Sequence, residues 1–177
     1  MAGTLTCPVP TNINPLSPNG FRFSIQKAPT LTYFCQEVNL PGITIGSPEM
    51  NTPFSVQPLP GEMLTYDTLN VRFLIDEDMA NYLQVHNWLI ALGFPEKYDQ
   101  YISFNSNDDR QLLNELAKNY SDATLEILGS NNVAVQTVQF HDVFPLSITT
   151  LQFQATNSDV QYLVGDVIFR YARYKFL

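Results

Sequence analysis

Between residues 69 and 92 the sequence switches from a two-residue period to a helical one, and this switch constrains the fold more than any other feature. Leu69, Val71, Phe73 and Ile75 alternate with Asn70, Arg72, Leu74 and Asp76, the pattern of a strand with one buried face. Asp76–Glu77–Asp78 follows directly. Apolar residues at 79, 82, 83, 85, 89, 90 and 92 then cover a broad helical face. Asp76 and Asp78 are expected as an N-cap and a first turn that complements the helix dipole. Gly93 offers a C′ position, and Pro95 forbids continuation. A strand feeding a helix of this length fixes one major helix in the domain.

The remaining periodic segments are strand-like. Phe21, Phe23 and Ile25 alternate with Arg22, Ser24 and Gln26, and a second strand is expected within Thr30–Leu40, ended by Pro41–Gly42. Ala123–Leu128 and Val133–Phe140 flank Gly129–Ser130–Asn131–Asn132, which reads as a β-hairpin. Leu151, Phe153 and Ala155 alternate with polar residues, Asn157–Ser158–Asp159 turns the chain, and Val164 to Tyr174 reads as a long final strand. Tyr101–Phe104 is expected as a short strand and Asn107–Tyr120 as a helical segment. The fold class is mainly β: an antiparallel β-sandwich or barrel with one major flanking α-helix and a long projecting hairpin loop. With 177 residues the chain holds one such domain, at 21–177, preceded by an extended arm at 1–20 whose Pro8, Pro10, Pro15 and Pro18 prevent a helix.

The projecting segment spans residues 42–67. It carries Pro48, Pro53, Pro58 and Pro60, which a central strand would not accept. Loops beyond about 12–15 residues in a compact domain are usually functional or disordered. Ile43, Ile45, Phe54, Val56 and Leu59 argue against disorder, so this segment is expected to find its burial on another subunit. Pro48, Phe54, Val56, Leu59 and Pro60 are the expected contacts. Composition points the same way. Only 15% of residues are charged, against roughly 25% in an average soluble domain, and a surface poor in charge is cheap to desolvate against a neighbour.

Chemistry is sparse. The net charge is −8 with no Lys/Arg run, which disfavours specific nucleic-acid binding. No stretch approaches the roughly 18 apolar residues of a membrane span. The N-terminus lacks the basic and apolar regions of a signal peptide, so a reducing compartment is expected for Cys7 and Cys35. The sequon at Asn119–Tyr120–Ser121 therefore reads as chance. His86 lies on the predicted helix. His141–Asp142 resembles half of a hydrolytic triad, but no nucleophile element accompanies it, and neighbours on a strand face opposite ways. The acids 76–78 lack the spacing of a hard-cation site, and neither a phosphate loop nor a dinucleotide fingerprint is present. No catalytic residue, metal or cofactor is expected.

The segments FRFSIQ (21–26), YFCQEVNLPGITI (33–45) and LNVRFLIDEDMANYLQVHNWLIALGFP (69–95) resemble the tail tube proteins of contractile phages of the T-even type. The shared features are the opening strand, the Phe34–Cys35 element, the Leu40–Pro41 turn, the long hairpin, the acidic turn at Asp76–Asp78 and a helix carrying Trp88. The resemblance implies rings of six subunits that stack into a hollow tube for DNA, with the hairpin contacting the next ring. It also implies a shared architecture with the secretion tube proteins of the haemolysin-coregulated type. Sheath and baseplate or terminator proteins would be partners, and the site would be a virion tail assembled in the host cytoplasm, without membrane insertion. Tyr171 and Tyr174 on the last strand are expected at contacts within the barrel or ring. A specialised single-ring tail protein is the near alternative. A carbohydrate-binding module using Trp88 and the tyrosines, and a hydrolase using His141 and Asp142, are the distant ones.

Overall fold

A computed structural model describes residues 13–93, 95, 119–154 and 162–177. Its centre is one antiparallel sheet of seven strands. These are β1 (Phe21–Ile25), β2 (Cys35–Val38), β7 (Leu69–Leu74), β8 (Ser121–Leu128), β9 (Ala134–Ile148), β10 (Val164–Arg170) and β11 (Arg173–Phe176). Their order is β1-β8-β9-β10-β7-β2, with β11 also paired to β9. The edges β1 and β2 do not meet, so the sheet is open rather than closed into a barrel. The alternation read from the sequence is the alternation of burial: Phe23 and Ile25 point inward from β1, and Leu69, Val71 and Phe73 from β7.

The 15-residue strand β9 organises the sheet. It pairs with β8 from Ala134 to Val143 and with β10 from Phe144 to Ile148. Asp142, at φ 57°, marks the change, and Pro145 sits where the β9–β10 register shifts. A proline lacks a ladder donor and is tolerated at such an irregularity. The segment at 151–154 is not a strand; the pairing expected there is supplied by the extension of β9 to Ile148. The final strand is interrupted at Tyr171–Ala172, so β10 and β11 run in succession along the same partner.

The helix α2 (Ala80–Gly93) packs against β9, and its buried residues are Asn81, Val85, Trp88 and Ala91. This face is narrower than the apolar set in the sequence. Leu83 points to solvent, because the helix is apolar on most sides and its periodicity does not single out one stripe. Trp88 is buried, lies 6.1 Å from the Phe169 ring and donates its indole N–H to the Asn119 carbonyl at 3.2 Å. Gly93 is the last helical residue rather than a left-handed C′ residue, since no described glycine has a positive φ.

The acidic triplet also sits differently from expectation. No acid lies in the first turn of α2. Asp76 and Asp78 lie in the preceding turn, where the Asp76 carboxylate accepts from the Glu77 amide at 2.9 Å, and Met79 (φ 54°) donates its amide to the Asp76 carbonyl. A further difference lies before β2. Residues Leu31–Phe34 form a one-turn helix, α1, because Leu31 and Thr32 donate to the carbonyls of Ala28 and Pro29 while the Leu31 side chain enters the core. The strand and helix expected within 101–118 lie outside the described residues, as does the turn at 157–159. Of the N-terminal arm, residues 13–20 carry neither helix nor strand.

Candidate functional site

Residues 42–67 leave the body between β2 and β7 and form a two-tier ribbon. β3 (Ile43–Ile45) pairs with β6 (Leu64–Tyr66), and farther out β4 (Glu49–Asn51) pairs with β5 (Val56–Pro58). Between the tiers, Gly61 donates to the Gly46 carbonyl at 2.7 Å, and a Cβ on Gly61 would collide with that same carbonyl. Only glycine permits this approach. The tip is closed by Thr52 donating its amide to the Ser55 carbonyl and Ser55 donating its amide to the Thr52 hydroxyl.

The ribbon therefore satisfies much of its own backbone, but its side chains are uncovered. Phe54 is 97% exposed and Val56 56%. Pro48, Leu59 and Pro60 are exposed on the same ribbon, so all five expected contacts are brought together. Ile43 and Ile45 are exposed as well, and Met50, Met63 and Leu64 add exposed apolar surface that the sequence reading did not single out. Contiguous exposed apolar patches on a protein surface are a common feature of interaction sites.

The ribbon's root is clamped to the end of the chain. Tyr66 lies 5.9 Å from Tyr171 and 5.7 Å from Tyr174, ring centre to ring centre, and Phe140 lies 5.2 Å from Tyr171. Tyr171 is buried inside the subunit, so it is not presented to a neighbour. Burial, reinforced by Tyr174 and Asp67, pushes its phenol well above the ordinary tyrosine range. Tyr174 is half-buried and also packs within the chain.

Elsewhere the sheet presents a polar face. Arg72 on β7 donates to Asp166 on β10 at 2.7 Å and to Glu37 on β2 at 3.2 Å. Asp166 chiefly, then Glu37, raises the pKa of the Arg72 guanidinium. This exposed row of three charges crosses three strands and opposes dry docking on that face.

The residues weighed for chemistry are dispersed. His141 faces Asp122, 3.9 Å from Nδ1 to Oδ1, rather than Asp142, and its Nε2 is buried without a hydrogen-bond partner. His86 stacks on Tyr82 at 6.4 Å. Among the described residues no group of three or more His, Cys, Asp or Glu is placed to hold a metal, and no helix is long and apolar enough to cross a membrane. Trp88 lies in the core, which removes it from any sugar-stacking platform. Burial raises the Cys35 thiol to about 11, which keeps it protonated and unreactive near neutrality.

Solved structures of the same fold come from contractile injection systems. The chain is similar to a component of the anti-feeding prophage baseplate, with 14% identity and a TM-score of 0.63 over 94% of this chain and 97% of that one. It is similar to a chain of the PVC extracellular contractile injection system sheath–tube complex, with 16% identity and a TM-score of 0.55 over 93% of each. It is also similar to a chain of the PVC sheath/tube terminator, with 17% identity and a TM-score of 0.53 over 98% and 99%. No curated protein matches the sequence. The model of the phage tail tube protein family matches residues 5–177; the chain belongs to that family and is a structural tail-tube-type protein, not an enzyme.

Proposed function

We propose that the chain is the repeating subunit of a tail tube, that six copies close a ring, and that rings stack into a hollow conduit for DNA. The observation that carries this reading is the ribbon at 42–67: its backbone is ordered by its own ladders while Phe54, Val56 and Leu59 remain uncovered. A preformed but uncovered apolar element loses little conformational entropy on docking and gains by burial. The open sheet fits ring formation, since among the described residues the outer edges of β1 and β2 have no partner strand and can take one from a neighbour. A net charge of −8 suits a conduit, because phosphates meet repulsion instead of ion pairs. Sheath and baseplate or terminator proteins are the partners of this reading, and a virion tail assembled in the host cytoplasm is its location. DNA passes without being bound specifically.

A second reading is a specialised single ring at one end of the tube. It is favoured by the likeness to the PVC sheath/tube terminator and, with a TM-score of 0.56, to the anti-feeding prophage cap.

Phe54→Asp tests the ribbon's role. Phe54 is exposed in the isolated subunit, so the variant folds as the wild type does. A carboxylate forced into an apolar contact without a partner costs several kcal/mol. Rings are expected to form and stacking to fail in the presence of a tail-initiating complex. Tubes of normal length would show that the ribbon is not the stacking element.

A further inference from the structure

We propose that the tip of the ribbon docks, in a second copy of the chain, into an apolar cleft at the far end of β7. The cleft has a volume of about 570 Å³ and is lined by Phe34, Leu74, Ile75, Met79, Phe153 and Tyr162, with Asp76 and Glu77 also in its lining. This rests on the stacking role proposed for the ribbon and names the surface that receives it.

Topology places tip and cleft at opposite ends of the same strands. The ribbon leaves where β2 finishes at Val38 and returns where β7 begins at Leu69. The cleft lies where β2 begins, after Phe34, and where β7 ends, at Leu74–Asp76. Leu163 and Tyr162, just before β10, belong to the same end, because Val164 pairs with Leu74. Five residue steps along β7 separate the two ends, roughly 17 Å at about 3.4 Å per step. One copy can therefore use its tip and its cleft at the same time, toward different neighbours. A heterologous contact of this kind propagates in one direction when no rotation closes it, as stacking of rings along an axis requires.

Chemistry selects the occupant. Residues 50–61, MNTPFSVQPLPG, contain no ionisable side chain, so the tip itself brings no charge toward Asp76 and Glu77, and the ribbon's nearest acids, Glu49 and Glu62, flank the tip. The cleft offers what Phe54 lacks: Phe153 and Tyr162 are themselves 72% and 76% exposed. Their rings would cover an inserted aromatic in offset or edge-on geometry. The volume falls within the range of about 300–1,000 Å³ typical of pockets that bury a drug-sized ligand, ample for one aromatic ring and its flanking Pro53.

The test uses the full chain assembled with a tail-initiating complex. Phe153→Asp with Tyr162→Asp alters exposed residues, and circular dichroism checks that the fold is kept. Electron microscopy is expected to find rings without tubes, as for Phe54→Asp. In a background with Cys7→Ser and Cys35→Ala, a chain carrying both Phe54→Cys and Phe153→Cys is treated with a short bismaleimide after assembly. A ladder of covalent multimers is expected, and either single variant is expected to give none. Normal tubes from the cleft variant, or no ladder from assembled tubes, would overturn the cleft assignment. If Phe54→Asp blocks stacking in that case, the ribbon's role stands without this cleft; if Phe54→Asp also gives normal tubes, the ribbon's role falls as well.

Discussion

Tyr174, three residues from the end of the sequence, donates its hydroxyl to the carbonyl of Pro41 at 3.2 Å, and so ties the last strand to the root of the projecting ribbon across 133 positions. The ring of Tyr174 meanwhile packs on Tyr66, at the ribbon's other root, and on Phe140 in the core. Both legs of the ribbon are thus held by one side chain. Tyr174→Phe keeps the ring contacts and removes the hydrogen bond. Such a bond contributes about 1 kcal/mol net, and a loss of that order is expected in urea unfolding. Limited proteolysis within 42–67 is expected to quicken. Unchanged stability and cleavage would mean that the aromatic contacts alone hold the root.

Asn81 is buried at the start of α2 and joins the helix to β7. Its Nδ2 donates to the Leu74 carbonyl at 2.7 Å, and its Oδ1 accepts from the amides of Tyr82 at 2.8 Å and Asp76 at 3.3 Å. Asn81→Leu has a suitable shape but leaves these backbone groups without their partner. An orphaned buried group costs about 1–3 kcal/mol, so a loss of at least about 2 kcal/mol is expected. A wild-type unfolding midpoint in this variant would show that water replaces the amide.

How much of this was legible depends on which force fixed each element. Half-buried strands were readable because burial imposes alternation, as at Phe21–Ile25 and Leu69–Leu74. The ribbon was readable because Pro48, Pro53, Pro58 and Pro60 are incompatible with a central strand. The exposure of Phe54, Val56 and Leu59 follows from that, since an apolar residue in a segment outside the core has nothing of its own to pack against. Elements fixed by tertiary contacts were not readable. Leu31 turns the chain into α1 by entering the core, although Tyr33 and Phe34 have strand propensity. Pro145 looks like a strand terminator, yet β9 runs through it at a register shift. Asn81 gave no signal, because a buried amide is recognised only by the backbone groups it meets. The cleft of Phe34, Met79 and Phe153 draws on distant segments, so no local pattern announces it.

Cys35 gives the stability a definite pH dependence. Burial raises its thiol from the ordinary 9.0 to about 11. In the unfolded chain the thiol ionises first as pH rises, so the unfolded state releases a proton that the folded state still holds. The contribution to stability is complete below about pH 9 and is lost as pH climbs from there through about 11. Tyr171, also raised by burial, acts in the same direction at higher pH. Thermal melts at about pH 8 and about pH 10.5 are expected to differ more for the wild type than for Cys35→Ala. Equal pH slopes in the two proteins would show that Cys35 is solvated in the fold.

Cryo-electron microscopy of the wild-type chain, purified and mixed with a tail-initiating complex, tests the central claim most directly. The account predicts a hollow tube of stacked six-membered rings in which density for residues 42–67 of each subunit crosses into the next ring. Lone rings that never stack, monomers only, or a tube in which each ribbon lies against its own subunit would contradict it.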